Sequence, residues 1–247
     1  MCIDFDKDLK ALVKIGKIVS IAREEMIKCV KIGMTTKELD IIGRKVLTSF
    51  GARSAPKYEY KFPGYTCISV NHEAAHGIPG SRILKQGDSV NIDVSAELNG
   101  YFADTGATVV LSDQEKLKKL LCECSKNALF KGIGKARAGV RINQIGKAIY
   151  NESKSSGFTV IKNLTGHGIG RRLHEEPAHI LNYFDVRDNK ILTRGLVLAI
   201  ESFVSTGAEF VIKDKNGWTL KTPDRSLVAQ FEHTVVVTDG NPIILTA

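Results

Sequence analysis

Four acidic residues stand inside apolar stretches that otherwise have the pattern of β-strands. Their settings are Asn91-Ile92-Asp93-Val94, Phe102-Ala103-Asp104-Thr105, Ala199-Ile200-Glu201-Ser202 and Gln230-Phe231-Glu232-His233. Burying an unpaired carboxylate is costly, so each acid needs a cation, a set of hydrogen-bond donors or contact with water. One such acid alone is most simply a polar residue on an edge strand. Four together are harder to explain as separate edge-strand residues.

The composition is that of a folded, basic protein. The chain has 247 residues, of which 43% are hydrophobic, and a formal net charge of +8. This hydrophobic content excludes a disordered chain, and no apolar run approaches the ~20 residues of a membrane-spanning helix. The acidic start is unlike a secretory signal, and the five scattered cysteines form neither a disulfide framework nor a CxxC zinc pair. We therefore expect a cytoplasmic protein that does not contact a membrane.

The periodicity of the apolar residues predicts an α+β fold. Leu9 to Ile21 have helical spacing, and further helices fit Thr35 to Phe50, Gln114 to Lys131 and Ile142 to Ser155. Strand patterns occupy Cys67 to Val70, Val90 to Val94, Val160-Ile161, Leu196 to Val204, Phe210 to Ile212 and Ala229 to Val237. Mixed helices and strands with several hairpins are typical of the α+β class.

The chain also carries a faint internal repeat. Residues 33–51 and residues 139–157 each begin and end with glycine, and each contains a predicted helix. An acidic strand follows at a similar distance in both cases, with Asp93 in the first half and Glu201 in the second. We expect the two acidic strands to meet near a pseudo-twofold axis. The halves are residues 33–110 and 139–238 of a single domain that spans residues 1–247.

The dipeptide Asn99-Gly100 is typical of a two-residue type I′ turn between antiparallel strands. In such a hairpin Ser95 lies opposite Asp104, and Asp93 projects from the same face as Ser95. The two carboxylates are then diagonal neighbours, and they repel each other unless a proton or a metal lies between them. The second half offers a matching pair, Glu201 and Glu232.

The six histidines include a misleading motif. His72-Glu73-Ala74-Ala75-His76 matches HExxH, which marks a zinc peptidase only when it lies on a helix. Here it follows a strand and runs into Gly77-Ile78-Pro79-Gly80, so we expect a turn that directs one histidine into a cleft. His167 stands between glycines, which allow a ligand to approach the backbone, although a simple turn residue fits as well. For His174, a surface histidine in a loop is the simple alternative.

Taken in order, Asp93, Asp104, His167, Glu201 and Glu232 resemble the five-ligand dimetal set of the pita-bread peptidases. Among these, the methionine aminopeptidases of the bacterial type I form match best. The supporting stretches are residues 67–71, 75–79, 90–94, 166–170, 174–177, 216–219, 224–226 and 230–238. The resemblance runs from about residue 8 to residue 246. It implies a pita-bread fold with two pseudo-symmetric halves, in which central antiparallel sheets are flanked by helices.

The resemblance implies which residue would bind each of two divalent metal ions. Asp93 would bind one ion, and His167 with Glu201 would bind the other. Asp104 and Glu232 would bridge both. Four carboxylates and one imidazole suit Mn²⁺, Fe²⁺ or Co²⁺ at least as well as Zn²⁺.

The resemblance also implies an activity, which is removal of the initiator methionine from newly made proteins when the second residue is small. A metal-activated hydroxide would attack the peptide carbonyl, with Glu201 as the proton shuttle. His76 would contact the scissile amide, and His174 the substrate carbonyl or the developing oxyanion. The residues where the family lines its methionine pocket are Phe62, Cys67, Leu173 and Trp218. The implied partners are nascent polypeptide N-termini, with proximity to the ribosome, no specific nucleic acid and a monomeric enzyme.

One position departs from the family pattern. Ser202 follows Glu201 where the family usually has proline, and we expect this to loosen the backbone locally. Two alternative functions stay open. One is an exopeptidase of the same fold that is specific for Xaa-Pro bonds, although such relatives usually carry an additional N-terminal domain. The other is a non-catalytic pita-bread protein that contacts nucleic acid or ribosomes.

Overall fold

The computed structural model describes residues 1–3 and 5–247 of the chain. The helices are α1 (Phe5–Cys29), α2 (Thr36–Ser49), α3 (Ala55–Tyr60), α4 (Lys116–Ile133) and α5 (Asn143–Ser155). The strands are β1 (Arg53–Ser54), β2 (Cys67–Val70), β3 (Glu73–Ala75), β4 (Ser89–Leu98), β5 (Tyr101–Val110), β6 (Thr159–Val160), β7 (Thr165–Gly168), β8 (Glu175–Leu181), β9 (Val197–Ser205), β10 (Ile212–Lys213), β11 (Leu220–Lys221), β12 (Val228–Val236) and β13 (Ile243–Ile244). No helix within residues 5–247 is both long enough and apolar enough to span a membrane.

Ten of these strands form one antiparallel sheet. Its main path runs β1-β4-β5-β12-β9-β7-β8, while β2, β6 and β13 pair with β4, β9 and β12. The four strands in the middle, β4, β5, β12 and β9, are the four that carry the acidic residues. A second, three-stranded sheet has the order β10-β11-β3. The predicted α+β class is therefore confirmed, and the acids meet at the centre of the large sheet.

The hairpin between β4 and β5 has the predicted register. Asn99 and Gly100 both have positive φ, 53° and 79°, as a type I′ turn requires. Ser95 lies opposite Asp104 across the ladder, and Asp93 lies opposite Gly106. The two carboxylates are therefore diagonal neighbours on one face, as the turn sequence predicts.

Helices cover one face of the large sheet. Helix α1 packs on β4 and β5, α4 packs on β9 and β12, and α2 and α5 pack against α1 and α4. The first core cluster joins Leu12 and Ile15 of α1 to Ile92 and Val94 of β4. Successive side chains along a strand point to opposite faces. Asp93, between Ile92 and Val94, therefore points away from the helices.

The start of α2 follows from its sequence. Thr35 is the N-cap, and its hydroxyl accepts a hydrogen bond from the Glu38 amide at 3.2 Å. The Glu38 carboxylate in turn accepts from the Thr35 amide at 2.7 Å, which completes a capping box. Beyond the last turn, Gly51 has φ +72°, a conformation that favours glycine. The helix predicted from Thr35 is thus confirmed, with its first helical residue at Thr36.

Two local expectations need correction. The strand predicted from Phe210 to Ile212 is shorter and shifted, because β10 covers only Ile212 and Lys213. Phe210 is exposed and lies outside it. Ser202 is fully buried in β9, and its hydroxyl donates to the Ser125 carbonyl of α4 at 2.8 Å. Serine therefore adds a connection between β9 and α4 at the point where a loosened backbone was expected.

Candidate metal centre

A cavity of about 310 Å³ opens on the face of the sheet that lies opposite the helices. Every residue singled out from the sequence as a ligand, a catalytic group or a pocket residue lines this cavity. These residues are Phe62, Cys67, His76, Asp93, Asp104, His167, Leu173, His174, Glu201, Trp218 and Glu232. Side chains that are up to 170 positions apart in the sequence thus share one cleft, as the strand patterns alone could not establish.

The strand register explains how the four acids come together. Glu232 of β12 lies opposite Glu201 of β9, and on its other side it lies opposite Gly106 of β5. Gly106 also lies opposite Asp93 of β4. Because Gly106 has no side chain, it leaves room between these two carboxylate-bearing strands. Asp104 lies two residues before Gly106 in β5, and its side chain therefore projects from the same face.

His167 enters the cavity from β7, where it lies opposite Ala199 of β9. Its Nδ1 lies 3.0 Å from the Gly168 carbonyl oxygen, which can only accept a hydrogen bond. Nδ1 therefore carries the hydrogen, and Nε2 keeps a free lone pair. Metal-binding histidines are commonly oriented in this way by a backbone carbonyl.

The arrangement fits a divalent metal ion. One ligand atom from each of Asp104, His167 and Glu232 lies within 4.8 Å of the others, and all three residues are buried. Asp104 Oδ1 and Glu232 Oε1 are buried oxygens without a hydrogen-bond partner. Buried polar atoms nearly always have a partner, and a cation would satisfy both of these oxygens. The donor set is therefore that of an oxygen-rich metal centre.

The acids also perturb each other's protonation. Removal from water raises the pKa of Asp104 to about 6 and that of Glu201 to about 8. Burial also raises the pKa of Asp93 and of Glu232, and the charges of the neighbouring acids add to this effect. Burial lowers the pKa of His167 to about 3. Repelling carboxylates so close together favour either a shared proton or a shared cation.

Gln230 and Asn91 support the acids from behind, and the sequence analysis did not single them out. Gln230 Nε2 donates to Glu232 Oε2 at 3.0 Å and reaches Glu201 Oε2 at 3.4 Å. Asn91 Nδ2 donates to Gln230 Oε1 at 2.7 Å, which fixes the orientation of the amide. The one available signal was that Gln230 and Asn91 each stand two residues before an acid, on the same face of the strand.

One end of the cavity is apolar. The rings of Phe62 and Trp218 meet edge to face with centroids 5.2 Å apart. Cys67 and Leu173 line the same cavity and are buried, with 6% and 3% exposure. Such a recess next to a polar centre suits a ligand that has one apolar side chain and one polar end.

His76 and His174 line the same cavity. His76 has φ +54° at the end of β3, so the HExxH letters lie on a strand and a turn, as predicted, and not on a helix. Removal from water and the nearby His174 lower the pKa of His76 to about 4. The His174 ring lies 4.1 Å from the His167 ring, centroid to centroid. His174 also contacts Tyr60, a cavity residue that the sequence analysis did not predict.

Comparison with known proteins decides the family. Residues 10–239 match the model of metallopeptidase family M24. Methionine aminopeptidase 2 of Bacillus subtilis (strain 168) is 57% identical over 247 residues, which are 100% of this chain and 99% of that protein. The chain belongs to metallopeptidase family M24.

Two further relatives support the assignment of this M24 peptidase. Methionine aminopeptidase 1 of Bacillus subtilis (strain 168) is 38% identical over 240 residues, with 97% of this chain and 96% of that protein covered. The crystal structure of methionine aminopeptidase from Rickettsia prowazekii superimposes with a TM-score of 0.95 at 36% identity, and 100% of each chain is covered. The expected pita-bread fold and the expected enzyme class are confirmed.

Proposed function

We propose that this M24 peptidase is a methionine aminopeptidase, which removes the initiator methionine from new proteins whose second residue is small. The observation that carries the proposal is the cavity, in which a carboxylate-rich metal centre adjoins the apolar recess of Phe62 and Trp218. The full-length similarity to proteins named methionine aminopeptidase supports it. The metal centre would hold the free amine and the scissile bond, while the recess would bind the methionine side chain.

We propose that all five predicted ligands hold divalent metal ions. Asp93 would bind one ion, and His167 with Glu201 the other, while Asp104 and Glu232 would bridge the two. The free Nε2 of His167 and the partnerless Asp104 Oδ1 and Glu232 Oε1 support this assignment. When bound, such ions polarise a carbonyl and activate a water molecule for attack. The hard donor set favours Mn²⁺, Fe²⁺ or Co²⁺ at least as much as Zn²⁺.

The remaining roles belong to the chain's own side chains. Glu201 holds and passes on a proton during the reaction, and His76 contacts the scissile amide. His174 donates a hydrogen bond to the substrate carbonyl and to the oxyanion that develops from it. Cys67 and Leu173 complete the methionine recess with the two aromatic residues. A thioether on an aromatic ring gains about 0.3–1.5 kcal/mol, which favours methionine over a branched alkyl side chain.

We infer the bacterial type I form and a single catalytic domain over residues 1–247. Helix α1 packs on β4 and β5 of the half at 33–110, and α4 packs on β9 and β12 of the half at 139–238, although each of these helices lies before the range of its half. Within the described residues of the second half, α5 is the sole helix, so no helical insertion interrupts it. A cytoplasmic monomer that acts on nascent N-termini near the ribosome, without a specific nucleic acid, stays a prediction.

The two alternative functions are not favoured. A peptidase specific for Xaa-Pro bonds agrees with the fold but not with a 57% identical relative named for methionine. A non-catalytic binding protein agrees poorly with the five ligand residues assembled in one cavity.

Substrate choice tests the proposal. The metal-loaded enzyme should release the first residue from Met-Ala-Ser, and at least about tenfold more slowly from Leu-Ala-Ser, since the recess discriminates by shape. It should leave Ala-Pro-Ser intact. Cleavage of Ala-Pro-Ser in preference to Met-Ala-Ser would favour the Xaa-Pro alternative, and cleavage of none would favour the non-catalytic one.

A further inference from the structure

The last two residues of α3 contact the loop between β7 and β8 through hydrogen bonds and an ion pair. Tyr60, the last residue of α3, places its hydroxyl oxygen 2.7 Å from His174 Nδ1. Glu59, one residue earlier, accepts a hydrogen bond through Oε2 from the Leu173 amide at 3.3 Å. Its Oε1 faces Arg172 Nε at 3.7 Å. Two adjacent residues of a short helix thus hold three consecutive residues of the loop that brings Leu173 and His174 into the cavity.

Helix α3 is itself firmly placed. Its N-cap Ser54 accepts a hydrogen bond from the Lys57 amide, and the first helical residues, Ala55 and Pro56, are buried. Lys61 ends the helix in the left-handed conformation, with φ +62°, and the chain then turns to Phe62 in the wall of the recess. Glu59 and Tyr60, which contact the loop, therefore belong to a helix that is anchored to the rest of the fold.

The Tyr60–His174 hydrogen bond can be assigned a direction. Burial and the charge of Glu59 raise the pKa of Tyr60, so its hydroxyl keeps its proton and needs an acceptor. The Glu59 carboxylate lies close to the Tyr60 hydroxyl and also takes the Leu173 amide and the Arg172 guanidinium. We assign His174 Nδ1 as the acceptor, since it lies 2.7 Å from the Tyr60 oxygen. A neutral imidazole that accepts at Nδ1 carries its hydrogen on Nε2.

We propose that Tyr60 and Glu59 are positioning residues for His174. Tyr60 fixes the tautomer with hydrogen on Nε2, on the side of the ring away from Tyr60, and Glu59 holds the loop at Leu173. This is the form of His174 that can donate to a substrate carbonyl, since Nδ1 is occupied. The role of His174 toward a substrate rests on the proposed function. The tautomer of His174 and the contacts of Glu59 and Tyr60 with the loop are properties of the chain itself.

Kinetics of matched variants test the catalytic consequence. Tyr60→Phe removes the hydroxyl and keeps the ring, and it should lower kcat for Met-Ala-Ser about tenfold, as expected for loss of one hydrogen bond. KM should stay within about twofold, because the methionine recess is untouched. Tyr58→Phe is the control, since Tyr58 lies on the same helix with its ring under Arg53 and is 48% exposed. Equal kcat values for Tyr60→Phe and the wild type would overturn the catalytic role.

Nitrogen NMR tests the tautomer without any reaction. In Zn²⁺-loaded protein with ¹⁵N-labelled histidine, the His174 signals, identified by their absence in His174→Asn, should show hydrogen on Nε2. Tyr58→Phe should leave this pattern unchanged, and Tyr60→Phe should give a mixture of tautomers. Hydrogen on Nδ1 in the wild type would contradict the proposal. A wild type that shows the predicted tautomer yet releases no methionine would instead contradict the proposed function.

Hydrogen exchange tests the part played by Glu59. The Leu173 amide donates to Glu59, so Glu59→Ala should speed exchange in a peptide that covers residues 171–175, with folding confirmed by an unchanged rate in α1. Glu24→Ala, which removes an exposed glutamate from α1, should not change exchange in that loop. Unchanged exchange at residues 171–175 in Glu59→Ala would show that Glu59 does not stabilise the loop.

Discussion

The side-chain amide of Gln230 donates a hydrogen bond to Glu232 Oε2 at 3.0 Å, and this leaves Glu232 Oε1 as the oxygen without a partner. Asn91 holds the amide from the other side at 2.7 Å. The two amides therefore decide which way the carboxylate of β12 points before any ion binds. Groups that orient metal ligands in this way commonly change metal affinity about 10–100-fold when they are replaced.

Gln230→Met should accordingly weaken metal binding. Methionine has a similar length but cannot donate to Glu232 or Glu201, so we expect a Kd for Mn²⁺ about 10–100-fold higher by titration calorimetry of the chelated protein. Gln114→Ala, at an exposed position before α4, is the control and should bind as the wild type does. Equal affinities for all three proteins would show that the amide does not orient the ligands.

Gly106→Ala should displace the side-chain amide of Gln230 by steric overlap. A Cβ at Gly106 would lie 2.2 Å from Gln230 Oε1 and 2.6 Å from Nε2, so the amide would have to move. We expect a loss of stability of about 2 kcal/mol and a Tm about 4–8 °C lower in thermal unfolding. Gly240→Ala is the matched control, because no atom lies within 4 Å of its Cβ position. A Tm for Gly106→Ala equal to that of the control would show that the space is not needed.

Ser202 should contribute to stability through Ser125. The two hydroxyl oxygens lie 2.9 Å apart, and Ser125 Oγ also lies 3.0 Å from the Ala229 carbonyl oxygen. Because both side chains are fully buried, Ser202→Ala should cost about 1–3 kcal/mol in urea unfolding. The double variant with Ser125→Ala should lose less than the sum of the single losses. Strict additivity would mean that the two hydroxyls do not act together.

The two histidines of the HExxH letters should behave differently. His76 lines the cavity, whereas His72 lies outside its lining and its backbone carbonyl accepts from the Thr222 amide. His76→Asn should lower kcat/KM for Met-Ala-Ser about 100-fold, and His72→Asn should leave it within about twofold. A comparable loss of kcat/KM in both variants would favour a zinc site built on the HExxH motif.

The sequence predicts local pairings well and distant ones only partly. The register of β4 and β5 follows from Asn99-Gly100, because the turn type alone determines which residues face each other. The alternation of apolar residues around Asp93 likewise predicts which face it occupies. The resemblance to a known family supplied the ligand set. Neither local rule could bring β5 next to β12, since that pairing depends on packing across the whole chain.

The supporting residues escaped prediction for the same reason. Asn91 and Gln230 are 139 positions apart, and Tyr60 and His174 are 114 apart. Nothing in the few residues around Tyr60 distinguishes it from Tyr58, which lies at the surface with its ring under Arg53. Their roles become visible only once the sheet and the loop between β7 and β8 are assembled.

Methionine release by reconstituted protein tests whether this chain is a metal-dependent methionine aminopeptidase. The protein is stripped with a chelator, and Mn²⁺, Fe²⁺, Co²⁺ or Zn²⁺ is added back in turn before free methionine is measured from Met-Ala-Ser. We expect release with at least one of these ions, no release from the stripped protein, and no release from Glu232→Ala with any ion. If none of the four ions restores release to the wild type, or if Glu232→Ala is as active as the wild type, the account is wrong.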